Sequence, residues 1–182
     1  MTVYTMLADG FEEVEALAPV DLLRRAKQQV TTVGVTGKVV SGSHGIPVTA
    51  DITAEELKIG ADMEMIVLPG GMPGTTNLAA CEKLTEALKK ADQEKRGIAA
   101  ICAAPSVLGN AGLLEGKKAT CYPGVESKLT GADFVTDPVA KDGNIITSRG
   151  LGTAIEFAAE IVAYLLDESA AKSLKESVVY RD

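Results

Sequence analysis

The chain of 182 residues contains no tryptophan, and aromatic side chains make up only 4% of it. Nucleobase-stacking surfaces need aromatic faces, so this scarcity argues against a single-strand nucleic-acid platform. Basic charge is also short: 18 Lys and Arg stand against 25 Asp and Glu, a net charge of −7. Phosphate-backbone binding depends on basic surface, so nucleic acid is not an expected partner. No apolar run approaches the roughly 20 residues that span a bilayer, so a membrane is not one either. The opening "MTVYTMLADG" lacks the basic flank and apolar stretch of a secretory signal, and the cytoplasm is the expected compartment. Histidine occurs once, at His44, and no two of Cys81, Cys102 and Cys121 have CxxC spacing. No metal site is therefore expected, and three cysteines at unrelated spacings read as reduced thiols.

What is present is an alternation of strand and helix patterns across one expected domain, residues 1–182. Buried strands are expected at 2–8, 30–35, 63–71 and 97–101. A helix is expected over 11–28, with acids in its first turn, bases near its end and a bend at Pro19. Residues 38–50 read as a hairpin with its tip near Gly42 to Gly45, and residues 134–148 as another. Thr53 and Glu56 have capping-box spacing and open a short helix. Further helices are expected at 81–95, 153–167 and about 169–177, with Thr153 and Glu156 as a second capping box. A short strand near 118–122 and a helical turn near 125–129 complete the pattern. This alternation predicts an α/β fold with a mostly parallel sheet and helices on both faces. Ligands in such folds lie beyond the carboxyl ends of the strands, where Cys102 and the pair Gly70 and Gly71 fall.

Cys102 ends an apolar strand and precedes Pro105, a residue suited to the first turn of a helix. A nucleophile elbow needs small residues two before and two after the nucleophile, and Ala100 and Ala104 meet that requirement. A helix start beside the sulfur favours thiolate. The same surroundings also suit a small buried structural cysteine. Cys81, near a helix start, and Cys121, in a short strand, are weaker candidates. His44 stands on a hairpin tip, far from Cys102 in sequence, so a carboxylate with a raised pKa is the better proton handler. Glu12, Glu13 and Glu15 qualify by position, equally as dipole-stabilising acids, and periodicity does not choose among them. "LPGGMPGTTN" (68–77) lacks the Gly-Lys-Ser/Thr of a P-loop and the GxGxxG spacing of a dinucleotide fingerprint. Its exposed backbone N–H groups suit an oxyanion instead.

Four stretches occur together in order: "EEVEALAPVDLLRRA" (12–26), "VLPGGMPGTTNL" (67–78), "AAICAAPSVL" (99–108) and "TSRGLGTAIEFA" (147–158). With them the chain resembles the ThiJ/PfpI superfamily, in its DJ-one branch. The resemblance implies a flavodoxin-like three-layer sandwich that forms a homodimer and uses no cofactor. It implies Cys102 as the elbow nucleophile and Glu15 as the protonated glutamate bonded to the sulfur. It implies backbone donors at Gly71 and Ala103. It also implies action on a small carbonyl substrate, a methylglyoxal-like dicarbonyl or its adducts (glyoxalase III-like or deglycase-like), with a redox sensor or redox-dependent chaperone as the alternative. Tyr122 stands where much of this branch has histidine, and it is expected to line the substrate. PfpI-type peptidases carry histidine directly after the cysteine. Here that residue is Ala103, which argues against proteolysis.

Overall fold

A computed structural model describes residues 1–181. β1 (Thr2–Leu7) is buried along its whole length, as a continuous apolar run in a sheet covered on both faces must be. It leads through a tight turn into α1 (Glu13–Arg25), which continues past Pro19. β2 (Gln29–Gly34) follows, then the antiparallel hairpin of β3 (Val39–Ser41) and β4 (Pro47–Thr49), then β5 (Ile52–Thr53). β6 (Met63–Leu68), α2 (Gly74–Ala79), α3 (Glu82–Gln93), β7 (Gly97–Ile101) and α4 (Pro105–Asn110) form the middle of the chain. β8 (Lys118–Ala119), β9 (Asp133–Phe134), β10 (Val139–Asp142), β11 (Ile145–Ser148), α5 (Ala154–Leu165) and α6 (Glu168–Ser177) complete it.

The main sheet has seven strands in the order β10-β11-β7-β6-β1-β2-β5. All its pairings are parallel except β10 with β11. Alternation along the inner strands sends side chains to two cores. Ile66, Leu68, Ile98 and Ala100 pack with Leu84, Leu88 and Leu108 from α3 and α4. Met65, Val67, Ala99 and Ile101 pack with Leu23, Phe157 and Ile161 from α1 and α5. The result is a flavodoxin-like three-layer sandwich, as the strand and helix alternation predicts. Every described helix is too short or too polar to cross a membrane.

Three local expectations need correction. Residues 74–79 of the glycine-rich stretch form α2 rather than loop, because only Gly70 and Gly71 are needed at the turn itself. β8 pairs in parallel with β9 as a separate two-stranded ribbon, so the second hairpin is only β10 and β11. Thr153 does not cap α5 through Glu156. Its hydroxyl lies 2.7 Å from the Ser148 hydroxyl and 2.9 Å from the Gly150 carbonyl, stapling the turn before the helix. Glu156 instead accepts from the Tyr180 hydroxyl. The other capping box forms as expected, with the Thr53 N–H donating to Glu56 at 2.8 Å in a short 3-10 turn.

Candidate functional site

Cys102 leaves β7 with φ +65°, a left-handed conformation that is strained for a non-glycine residue. The strain is held by its neighbours: the Cys102 N–H donates to the Ser148 carbonyl at 2.9 Å, and its own carbonyl accepts from the Tyr122 N–H at 2.9 Å. Pro105 opens α4 at its first turn. The side chain therefore stands out of the sheet's carboxyl edge, with the N–H groups of Gly71 and Ala103 donating to its sulfur.

Glu15 reaches the same point from α1 and is only 1% exposed. Its carboxyl hydrogen-bonds the Cys102 sulfur and accepts from the backbone N–H groups of Gly70, at 3.0 Å, and Leu151. Glu12 caps the helix, accepting from the Glu15 N–H at 2.7 Å. Glycine is obligatory beside this pair. A Cβ on Gly70 would lie 2.6 Å from the Cys102 Cβ and 2.8 Å from the Glu15 carboxylate. Gly71, at φ +90°, lets the chain pass under the start of α1, where a Cβ would meet the Glu12 N at 2.4 Å.

Burial, with help from the Glu12 charge, pushes the Glu15 carboxyl up to about 7, although the bonds from Cys102, Gly70 and Leu151 pull it down. Burial first, and then the Glu15 charge and its bond to the sulfur, push the Cys102 thiol up to about 12 against the pull of Gly71 and Ala103. The two groups form one titrating unit that holds a proton between them. It releases its first proton near neutrality and resists losing the second, because two anions would then share a buried space.

Glu13 turns the other way. It accepts from the His44 N–H at 2.8 Å and lies 3.0 Å from the His44 Nδ1, which fastens the β3–β4 hairpin to α1. His44 is therefore paired with Glu13, and its ring is exposed. Burial opposes ionisation of Glu13, but the hydrogen bonds from the His44 ring and the backbone bring it down to about 2. Of the three acids left open by periodicity, the structure brings Glu15 alone to the sulfur. Cys81 stands at the amino-terminal cap of α3. Cys121 is wholly buried, and burial pushes its thiol up to about 11.

Residues 1–164 match the model of the DJ-1/PfpI family. The chain belongs to the DJ-1/PfpI family. It is 42% identical over 178 residues, 96% of its length, to protein DJ-1 homolog B of Arabidopsis thaliana, but it spans only 40% of that relative, and 47% of DJ-1 homolog A. It is 38% identical over 181 residues to the Parkinson disease protein 7 homolog of Danio rerio, covering 97% of this chain and 96% of that one. Among solved structures, oxidized Toxoplasma gondii DJ-1 superposes with a TM-score of 0.95 at 33% identity, covering 100% of this chain and 99% of that one.

The family elbow opens here into a cleft of about 500 Å³ lined by Cys102, Gly71, Ala103 and Tyr122. The Tyr122 ring is 53% exposed and packs near Gly150, where a Cβ would lie 3.3 Å from the ring. Two contributors were not foreseen as such, the N–H groups of Gly70 and Leu151 that hold Glu15. The glycine pair and "SRGLG" were the only sequence signals for them, and a backbone donor leaves no side-chain signature.

Proposed function

We propose that the chain is a cofactor-independent cysteine enzyme acting on reactive dicarbonyls such as methylglyoxal, or on their protein adducts. The observation that carries this reading is the buried Glu15 carboxyl bonded to the Cys102 sulfur opposite two backbone donors. It gains support from two relatives: a Pyrococcus abyssi protein named a deglycase, 34% identical, and a Caenorhabditis elegans protein named a glutathione-independent glyoxalase, 35% identical.

With the shared proton on Glu15, the charge sits on sulfur and the thiolate attacks the aldehyde carbon. A C–S bond forms, and the carbonyl electron pair moves to oxygen, facing the N–H groups of Gly71 and Ala103. The oxygen takes the proton from Glu15 to give a hemithioacetal. Glu15, now ionised, removes the proton from that carbon. The released pair forms the carbon–carbon double bond while the neighbouring carbonyl pair moves to its oxygen, which takes the proton of the first carbon's hydroxyl. Glu15 returns its proton to the second carbon to leave a thioester. Water then cleaves the resulting thioester, releasing a 2-hydroxy acid and the free thiol. The sequence is redox-neutral and needs no co-reactant beyond water. A pKa near 7 on the shuttle lets it give and take the proton at neutral pH. Tyr122 walls the substrate side of the cleft in this reading.

The unit is proposed to act as a homodimer. Val14 and Leu17 on α1 and Ile155 on α5 are exposed apolar side chains on two helices that pack together. Sedimentation giving only the 18.9 kDa monomer at micromolar concentration would refute the dimer.

A second reading is favoured by the same carboxyl: it can hold a sulfinate on Cys102 and stop oxidation there, as in a redox sensor. The decisive experiment is lactate formation from methylglyoxal by the purified chain, with Cys102→Ala as control. Turnover lost in the variant supports the enzyme. Turnover no faster than a free thiol, with clean oxidation of Cys102, supports the sensor.

A further inference from the structure

Methylglyoxal has only a few non-hydrogen atoms, whereas the cleft over Cys102 measures about 500 Å³. That is the size range of pockets for much larger ligands, roughly 300–1,000 Å³. Its wall carries one charged side chain, Lys128, at the end of the 3-10 turn Glu126–Lys128. The chain bears a net charge of −7, yet no carboxylate lines this wall. Lys128 makes no salt bridge or hydrogen bond through its ammonium among the described residues. Its acidic neighbour in sequence, Glu126, is occupied by the Gly124 N–H at 2.8 Å and by the field of Arg149.

Two of the hydroxyls in the lining are spent on backbone carbonyls. The Thr75 hydroxyl donates to the Gly71 carbonyl at 2.9 Å and the Ser106 hydroxyl to the Ala103 carbonyl at 2.7 Å. The rest of the lining includes the apolar side chains of Met72 and Val125 and the uncharged polar side chains of Thr76, Asn110 and Tyr122. The cleft thus offers a reactive sulfur, apolar wall surface and one unpaired cation.

Resting on the dicarbonyl reading above, we propose that this cleft selects aldehydes carrying an anionic tail, with Lys128 as the specificity-determining residue. The aldehyde carbon meets the Cys102 sulfur, the carbon chain lies on Met72 and Val125, and the tail pairs with the Lys128 ammonium. A lysine is a point charge that serves a carboxylate and a phosphate equally, so the shared chemistry is the anion.

The test separates this selectivity from catalysis. Cys102 is alkylated with N-iodoacetyl-4-aminobutanoate and with its methyl ester, each rate normalised to that with a small free thiol. In both reactions the sulfur displaces iodide. The carboxylate is expected to react about fivefold faster, the span of one partly solvated ion pair. The ratio should fall to about one in Lys128→Met, drop below one in Lys128→Glu, and shrink as salt screens the pair. Lys128 is exposed, so these variants keep the fold. A wild-type ratio at or below one, or a ratio unchanged in Lys128→Met, overturns the proposal. A retained ratio without turnover of methylglyoxal or 4,5-dioxopentanoate overturns the enzymatic reading instead and leaves the anion subsite standing. A phosphonate-tailed probe that outperforms the carboxylate assigns phosphorylated aldehydes as the tail's source, and the reverse assigns oxo acids.

Discussion

Glu13 and Glu15 stand two residues apart on one helix and are 5% and 1% exposed, yet their carboxyls move in opposite directions, to about 2 and about 7. Burial pushes both up. Glu13 meets only donors, namely the His44 ring and N–H groups of the hairpin, and the bonds outweigh the burial. Glu15 also takes bonds from Cys102 and two N–H groups, but their pull does not outweigh its burial and the Glu12 charge nearby. Burial alone therefore does not set a carboxyl's charge; what faces it does. Glu13 is structural, an ionised anchor for a hairpin. Glu15 is left frustrated, and that frustration keeps a transferable proton at neutral pH.

The comparison breaks most clearly in reactivity. Glu15→Leu is expected to lower carbonyl turnover by about 100-fold or more, the usual worth of a positioned proton handler. It should also lower the pH midpoint of Cys102 alkylation, because the Glu15 charge and its bond to the sulfur, after burial, are what push the thiol up. In the wild type one equivalent of iodoacetamide should reach Cys102, in its open cleft, before Cys81 and Cys121. Peptide mass mapping across a pH series measures the midpoint and the order of labelling. Glu13→Gln should shift the midpoint far less, because its carboxyl lies outside the cleft. Equal shifts from both variants would erase the distinction.

Stability should respond with opposite signs. Glu15 has its folded pKa raised from 4.5 to about 7, so the folded state binds more protons than the unfolded state across that window. Its contribution falls as pH rises from 4.5 to 7, costing up to roughly 3 kcal/mol above it. Glu15→Gln is therefore expected to stabilise the chain at pH 8, read as a higher urea midpoint. Glu13 is the reverse case: with its pKa lowered to about 2, its contribution is present above 4.5 and lost as pH falls towards 2. Glu13→Gln should destabilise by about 1–3 kcal/mol at neutral pH, leaving hairpin donors poorly matched. The same sign for both variants at pH 8 would refute the assignment.

A smaller effect sharpens the anchor. The bond to Glu13 raises the His44 pKa above its usual 6.5. The protonated ring's contribution is thus fully present below 6.5 and is lost as pH rises through the folded value. NMR titration of the single histidine should give a midpoint above 6.5 that returns towards it in Glu13→Gln. Tyr122 marks the lower end of the scale. Its side chain walls the cleft, and Tyr122→Phe should change carbonyl turnover by less than about twofold. Tyr122→His adds a base near neutrality, and no gain from it would show that histidine is not what limits the site.

Much of this was readable along the chain because it depends on local chemistry. Strand and helix alternation follows from apolar period. The elbow follows from Ala100 and Ala104 around Cys102, since steric room at a tight turn is a property of neighbours in sequence. α2 was missed because glycines and Thr75-Thr76 carry weak helix propensity, and packing of Leu78 into the core outweighs it. Thr153 had capping spacing, but the nearer Ser148 and Gly150 turn took its hydroxyl.

The sequence by itself determined the parallel sandwich, the position of Cys102 at a strand's carboxyl end and the supply of acids at the next helix start. It did not determine which acid meets the sulfur. That choice belongs to the tertiary structure: the β3–β4 hairpin, 30 residues away in the chain, turns Glu13 outward, while β6 delivers Gly70 to hold Glu15 inward. Helical period places both carboxyls on buried faces, but the charge each carries is set by how burial weighs against donors brought from distant strands, and no local pattern encodes where those donors arrive.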